Sequence, residues 1–121
     1  RQIWIGAGIG ITPFLARLQY LAGHPAESRQ VDLFHPTTVL APQAREILAE
    51  AAGAAGVRLH LLIGDGEGRL DGERLRRTVP GWKDASVWFC GPSAFGRALR
   101  ADLLAHGLPP GAFHQELFEM R

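Results

Sequence analysis

The chain has 121 residues, thirteen of them Lys or Arg and twelve Asp or Glu, for a formal net charge of +1. With 46% hydrophobic and 21% charged residues, it is neither a disordered tail nor a coiled coil, and its length suits one domain around a single core. The balanced charge argues against a nucleic-acid partner. No apolar run approaches the roughly 20 residues of a membrane helix. The lone cysteine, Cys90, allows neither a disulfide framework nor a thiol-rich zinc site.

Residues 2–6 (QIWIG) are short, apolar and β-branched, which predicts a buried strand. Gly6-Ala7-Gly8-Ile9-Gly10 then turns the chain. Thr12 followed by Pro13 predicts a helix start, with Thr12 as N-cap and Pro13 in the first helical position. Phe14, Leu15, Leu18 and Leu21 recur at helical spacing as far as Gly23. Residues 31–35 (VDLFH) predict a second strand, stopped by Pro36. Residues 42–55 predict an Ala/Leu/Glu-rich helix ended by Gly56, and residues 57–63 (VRLHLLI) a third strand.

A glycine-rich stretch over residues 64–68 leads to a short helix over 71–77, with Asp71 as its N-cap. Here Arg69, Arg74, Arg76 and Arg77 interleave with Glu67, Asp71 and Glu73 and read as a solvated face rather than a binding patch. Residues 86–90 (SVWFC) predict a fourth strand. Gly91-Pro92-Ser93 turns into a helix over 94–106, ended by Gly107, and residues 112–118 (AFHQELF) predict a last strand. Strands and helices alternating at this pitch give an α/β fold, a doubly wound parallel five-stranded sheet with helices on both faces.

In such a sheet, ligands bind beyond the carboxyl ends of the strands, where amides at helix starts attract anions. Gly6, Gly8 and Gly10 lie at one such end, and Thr12 can add a hydroxyl donor. The spacing is G-x-G-x-G-x-T-P, with Ile11 where the dinucleotide fingerprint has glycine, and no Gly-Lys-Ser/Thr occurs. The turn either cradles a phosphate or packs tightly between strand and helix. Cys90-Gly91-Pro92 lies at a second such end, where the thiol is either a small buried hydrophobe or a placed reactive group. A phosphatase-type anion loop needs arginine six positions after the cysteine. Gly96 stands there, and the first arginine is Arg97.

Taken together, the segments Gly6-Ala-Gly-Ile-Gly-Ile-Thr-Pro13, Gly68-Arg69-Leu70, Cys90-Gly-Pro92 and His114-Gln-Glu116-Leu-Phe118 resemble the nicotinamide-nucleotide domain of the ferredoxin–NADP⁺ reductase family. The order holds along essentially the whole chain. The tail Phe118-Glu-Met-Arg121 is similar to the ferric-reductase-like branch. The resemblance implies a Rossmann-like sheet of the type found in the C-terminal domain of these reductases. It implies NADH or NADPH as cofactor, with the pyrophosphate held by the turn Gly8, Ile9, Gly10, Thr12 and Pro13 after Gly6. Cys90, Gly91 and Pro92 would line the nicotinamide pocket, Phe118 would lie against the flavin, and Glu116 would be the carboxylate near flavin and nicotinamide.

The same resemblance implies FAD or FMN on a separate upstream barrel domain. Electrons would pass on to a ferric, haem or iron–sulfur acceptor. The chain opens without an initiator Met and is expected to be one piece of a longer, cytoplasmic protein, the parent standing free or at the cytoplasmic face of the inner membrane. A non-catalytic nucleotide-sensing domain of the same fold is the alternative. Members of the family that prefer NADPH place an arginine after the second strand. His35-Pro36-Thr37-Thr38 has none, which leans the expectation to NADH, with Arg69 and Arg45 as the residues that would reverse it.

Overall fold

The structure is a computed structural model and describes residues 1–24, 30–64 and 69–115. Its strands are β1 (Gln2–Gly6), β2 (Val31–Thr37), β3 (Arg58–Ile63), β4 (Ser86–Cys90) and β5 (Phe113–His114). Its helices are α1 (Thr12–Ala22), α2 (Pro42–Ala55), α3 (Gly72–Thr78) and α4 (Ser93–Ala105). The strands form one sheet in the order β3-β2-β1-β4-β5, and every neighbouring pair is parallel. The chain winds outward from β1 to β3, then returns across β1 to lay down β4. That reversal puts the β1 and β4 tips side by side at the topological switch point.

Alternation along each strand divides the core between the two faces. On one face Trp4, Val31 and Leu33 pack with Phe14, Leu18 and Leu21 of α1 and Ala52 and Ala55 of α2. On the other, Ile3, Ile5, Phe34, Val87 and Phe89 pack with Leu75 of α3 and Leu99 and Leu103 of α4. The doubly wound architecture expected from the sequence is therefore the one observed.

Three local expectations differ. Thr12 does not cap α1. A 3-10 turn over Gly8–Ile11 runs straight into the helix, leaving Thr12 helical (φ −56°, ψ −47°) with its hydroxyl donating back to the Ile9 carbonyl at 3.3 Å. Strand β2 passes through Pro36 to Thr37. Its pairing with β1 ends at Phe34, so Pro36 lies where β2 has become an edge on that side, a position that tolerates a missing N–H. The last strand begins at Phe113 because Ala112 closes a 3-10 turn over Pro110–Ala112, it ends at His114 with Gln115 outside it, and the rest of the predicted run from Glu116 lies outside the described residues. The Asp71 cap forms as expected, with the Arg74 N–H donating to Oδ1 at 2.8 Å.

At the start of β2, Asp32 is only 2% exposed. Nε and Nη2 of Arg58 on the adjacent strand donate to its two oxygens, each at 2.9 Å, and Nε2 of His60 lies 2.8 Å from Oδ1. Burial works to raise the carboxyl pKa, but the hydrogen bonds and charges of Arg58 and His60 outweigh it and hold Asp32 below the usual carboxylate value. A native pKa below the unfolded one stabilises the fold fully above the unfolded value of about 3.9, and that contribution is lost as pH falls through the native value. Urea denaturation across pH 2 to 7 is expected to show a shallower acid-side loss in Asp32→Asn than in the wild type. Parallel acid limbs would remove Asp32 as the source.

Candidate functional site

The site begins at the switch point. Gly6 stands beside Cys90 in the β1–β4 register, and the Ala7 N–H donates to the Cys90 carbonyl at 2.9 Å. The chain then folds back, with the Gly10 N–H donating to the Ala7 carbonyl at 2.9 Å. This lays Gly10 directly on the end of β4, where a Cβ would stand 2.1 Å from the Cys90 oxygen. Gly8, by contrast, has open space around it and needs glycine for its left-handed φ of +56°. The two readings of the turn therefore fall on different glycines: Gly10 serves close packing, and Gly8 shapes an exposed backbone.

Behind the turn, the Gly6 carbonyl lies 2.6 Å from Nδ1 of His35, which is 3% exposed. A carbonyl can only accept, so Nδ1 carries the proton and the imidazole pins the end of β1 to β2. The first amides of a helical turn have no intrahelical acceptor. Those of Gly8 and Ile9 open the 3-10 turn at the rim, where Ile9 is 93% exposed.

A cleft of about 1190 Å³ runs along these strand tips. Residues 7–10 and Pro13 contribute from the first turn, residues 36–38 from the end of β2, and Gly64 from the end of β3. Residues 69–71 contribute from before α3, with residues 90–92 and Phe95 from β4 and α4. Of the residues expected from the sequence, Gly8, Ile9, Gly10, Pro13, Cys90, Gly91 and Pro92 meet in this one cleft. Gly6 and Thr12 do not line it: Gly6 is buried behind the turn, and the Thr12 hydroxyl is bonded back to Ile9. Glu116 and Phe118 lie outside the described residues. Sequence reasoning did not foresee Gly64, Asp71 and Phe95. Phe95 reaches the cleft from the first turn of α4 and packs edge-on against Phe89, with ring centroids 5.5 Å apart.

The wall formed by residues 69–71 is held from α3. Nη1 of Arg74 donates to the Arg69 carbonyl at 3.1 Å, and the Arg74 N–H goes to Asp71. Arg76 ties α3 to α4 through Asp102, with Nε 3.0 Å from Oδ2. On the opposite wall Cys90 is half-buried against the Trp4 and Phe14 side of the core, and burial pushes its thiol pKa up. The thiol is thus protonated at neutral pH and offers a compact, uncharged surface.

No family model matches the chain. The NADPH oxidoreductase of Mycobacterium tuberculosis is 33% identical over 94 residues, which make up 74% of this chain and 24% of that protein. The flavohemoprotein of Oceanobacillus iheyensis is 29% identical over 126 aligned positions, covering 96% of this chain and 30% of its own. Among solved structures, the cytochrome P450 reductase GcoB of Amycolatopsis superposes with a TM-score of 0.69 at 29% identity, over 95% of this chain and 36% of that one. The flavohemoglobin of Malassezia yamatoensis, solved with bound FAD and heme, gives a TM-score of 0.73 at 30% identity, over 94% and 30%. The chain belongs to the ferredoxin–NADP⁺ reductase family, as a domain of the nicotinamide-nucleotide-binding type. It spans between about a quarter and about a third of the length of the proteins it matches. Their likeness carries the family, and the ferric-reductase-like branch is a narrower assignment than they show.

Two measurements test the geometry. Gly10→Ala is expected to lose about 1–3 kcal/mol of stability in urea, because its methyl overlaps the Cys90 carbonyl. Gly53→Ala in exposed α2, with open space around it, is expected to gain about 0.5–1 kcal/mol. A harmless Gly10→Ala would mean the turn does not rest on β4. At pH 8 iodoacetamide is expected to modify Cys90 in the native protein about 3- to 10-fold more slowly than in the urea-unfolded chain. A native rate equal to or above the unfolded one would identify an activated thiol instead.

Proposed function

We propose that the chain is the NAD(P)H-binding half of a flavin-dependent oxidoreductase, in which a nicotinamide cofactor lies along the cleft and meets a flavin held by another domain of the parent chain. The observation that carries this reading is the Gly6–Cys90 register pair, which makes one cleft of the Gly8–Gly10 turn and the Cys90–Pro92 loop. A dinucleotide needs an anion-binding stretch and an aromatic-ring pocket within one molecule's span. The turn offers backbone amides without bulky side chains. The Cys90 end offers a thiol, a proline and the Phe95 ring, none of them charged. The residues present therefore fit the group.

When bound, the nicotinamide supplies the hydride and the flavin accepts it, so the protein's part is binding, orientation and exclusion of water. Gly8, Ile9, Gly10 and Pro13 hold the diphosphate. Gly6 and Thr12 contribute behind the turn, Gly6 through its bond from His35 and Thr12 by closing the 3-10 turn onto Ile9. Cys90, Gly91 and Pro92 form the ring pocket, where a protonated thiol touches the ring without hydrating it. Glu116 and Phe118 complete the site toward the flavin, on the resemblance of the His114–Phe118 ending.

The flavin domain belongs upstream in the parent chain, and electrons leave toward a haem, iron–sulfur or ferric acceptor. Among the described residues no helix is long and apolar enough to cross a membrane. The reading places the domain in the cytoplasm, where reduced nicotinamide is available, with the parent free or at the cytoplasmic face of the inner membrane.

The test is anaerobic mixing of the full-length parent protein with NADH and with NADPH, following bleaching of the flavin absorbance. Reduction is expected, and Cys90→Ala is expected to slow it about tenfold or more through lost orientation at the ring. A wild-type flavin that neither nucleotide reduces would overturn the reductase reading. An unchanged Cys90→Ala rate would remove Cys90 from the ring pocket.

A further inference from the structure

We infer that His35 is a positioning residue of this cleft. From beneath the first turn it holds the Gly6 carbonyl away from the ligand, so that the turn presents amides and not lone pairs to a diphosphate. The inference rests on the nucleotide reading above and deepens it, by naming a side chain outside the turn that makes the turn an anion site.

A backbone stretch that binds an anion must aim its N–H groups at the ligand and keep its carbonyls elsewhere, because each carbonyl oxygen repels negative charge. Here carbonyls of the turn are taken up from within the fold. That of Ala7 accepts from the Gly10 N–H at 2.9 Å. That of Ile9 accepts from the Thr12 N–H and, at 3.3 Å, from the Thr12 hydroxyl. Those donors are close in sequence. The Gly6 carbonyl is served differently, by the Nδ1–H of His35 at 2.6 Å, from a residue 29 positions away on β2. The other polar group of the same peptide unit, the Ala7 N–H, donates to the Cys90 carbonyl at 2.9 Å. The peptide that enters the turn is thus held on one side from β2 and on the other from β4.

The turn rests on this peptide. A Cβ at Gly6 would stand 2.9 Å from Cα of Ile11 and 3.0 Å from the Gly10 oxygen, so backbone lies on backbone with no side chain between. Ala7, Gly8, Ile9 and Gly10 line the cleft above it, and Gly6 does not. His35 itself is 3% exposed and precedes Pro36, and a residue before proline is kept extended, which suits a strand that continues to Thr37. Without the imidazole, the Gly6 carbonyl becomes a buried acceptor with no donor. Relief by rotating that peptide would break the bond from Ala7 to Cys90 and shift the turn that lies on it.

The test uses the full-length protein and ADP-ribose, which carries the adenosine and the diphosphate without the nicotinamide. Affinity is measured by calorimetry for the wild type, for His35→Phe, which keeps a ring and removes the donor, and for His35→Asn, whose amide nitrogen is attached to Cγ as Nδ1 is. His35→Phe is expected to bind ADP-ribose about tenfold or more weakly, and His35→Asn to recover most of that loss. In steady state the His35→Phe defect is expected in the KM for the nicotinamide cofactor rather than in kcat, since the ring end of the cleft lies at β4. Nitrogen NMR of the wild type, which does not depend on how the variants fold, is expected to find the His35 proton on Nδ1 with and without ADP-ribose. A proton on Nε2 alone overturns the inference. So does a His35→Phe protein that binds ADP-ribose like the wild type, or a His35→Asn protein that binds no better than His35→Phe, either of which leaves His35 a packing residue. A flavin reduced by nucleotide, with ADP-ribose affinity indifferent to His35, sinks this inference and leaves the reductase reading standing. ADP-ribose binding that depends on His35, in a protein whose flavin neither nucleotide reduces, does the reverse.

Discussion

Everything at the functional end of this molecule depends on one close approach, that of the first turn to the end of β4. The Ala7 N–H reaches the Cys90 carbonyl, and Gly10 lies against the same group with no room for a side chain. Two strands 80-odd residues apart in sequence are thereby joined at their tips, not only along their ladder. A larger residue at position 10 would lift the turn off β4 and open the floor of the cleft. The same contact draws the backbone into a 3-10 turn ahead of α1, which is why Thr12 ends up inside the helix instead of capping it. Local capping preference is worth about 1 kcal/mol. The alternative here is an unsatisfied carbonyl at the end of a buried strand, at about 1–3 kcal/mol, so the tertiary contact decides the local geometry.

Strand β2 is fixed at both ends by buried polar groups, each with a specific partner. Near its start, Asp32 is satisfied from β3 by Arg58 and His60; near its end, His35 reaches the other way, to β1. Buried polar groups are costly unless paired, so each resists a shift of register between neighbouring strands. A slip of one residue would turn Asp32 and His35 onto the wrong faces and strand both. The cleft is built from the tips of exactly these three strands together with β4, so its shape inherits that register.

Much of the fold was legible because its signals are local. The span of α2 is marked by Pro42 at one end and Gly56, left-handed at φ +71°, at the other, and the short apolar runs QIWIG and SVWFC, each followed by a glycine turn, read as strands. The doubly wound sheet follows from their alternation with helices. What was not legible depends on contacts across the chain. Pro36 reads as a strand breaker until β1 is known to end beside it. Gly64, Asp71 and Phe95 carry no motif and enter the cleft only because three connections converge there. Nor could composition divide the arginine cluster, since the partners of Arg76 and Arg77 lie on different elements: Asp102 on α4 and Glu73 one turn back on α3.

That division bears on how cofactor preference should be read from a parallel sheet. The end of β2 is the customary place to look for the group that senses the 2′ position, and here it holds only proline and threonines. A cleft at a switch point is nevertheless walled by several connections at once, and a ligand responds to the charge at a position in space, whichever strand delivers it. The connection from β3 to α3 carries Arg69 into the cleft, fastened at one end to the tip of β2 through Gly64 and at the other by Arg74 and the Asp71 cap. Arg69 stands before α3, and the bond from Arg74 to its carbonyl ties that stretch of backbone to a helix that is itself joined to α4 by an ion pair. Among the described residues of the cleft wall, the cationic side chain therefore comes from the connection before α3 and not from the end of β2.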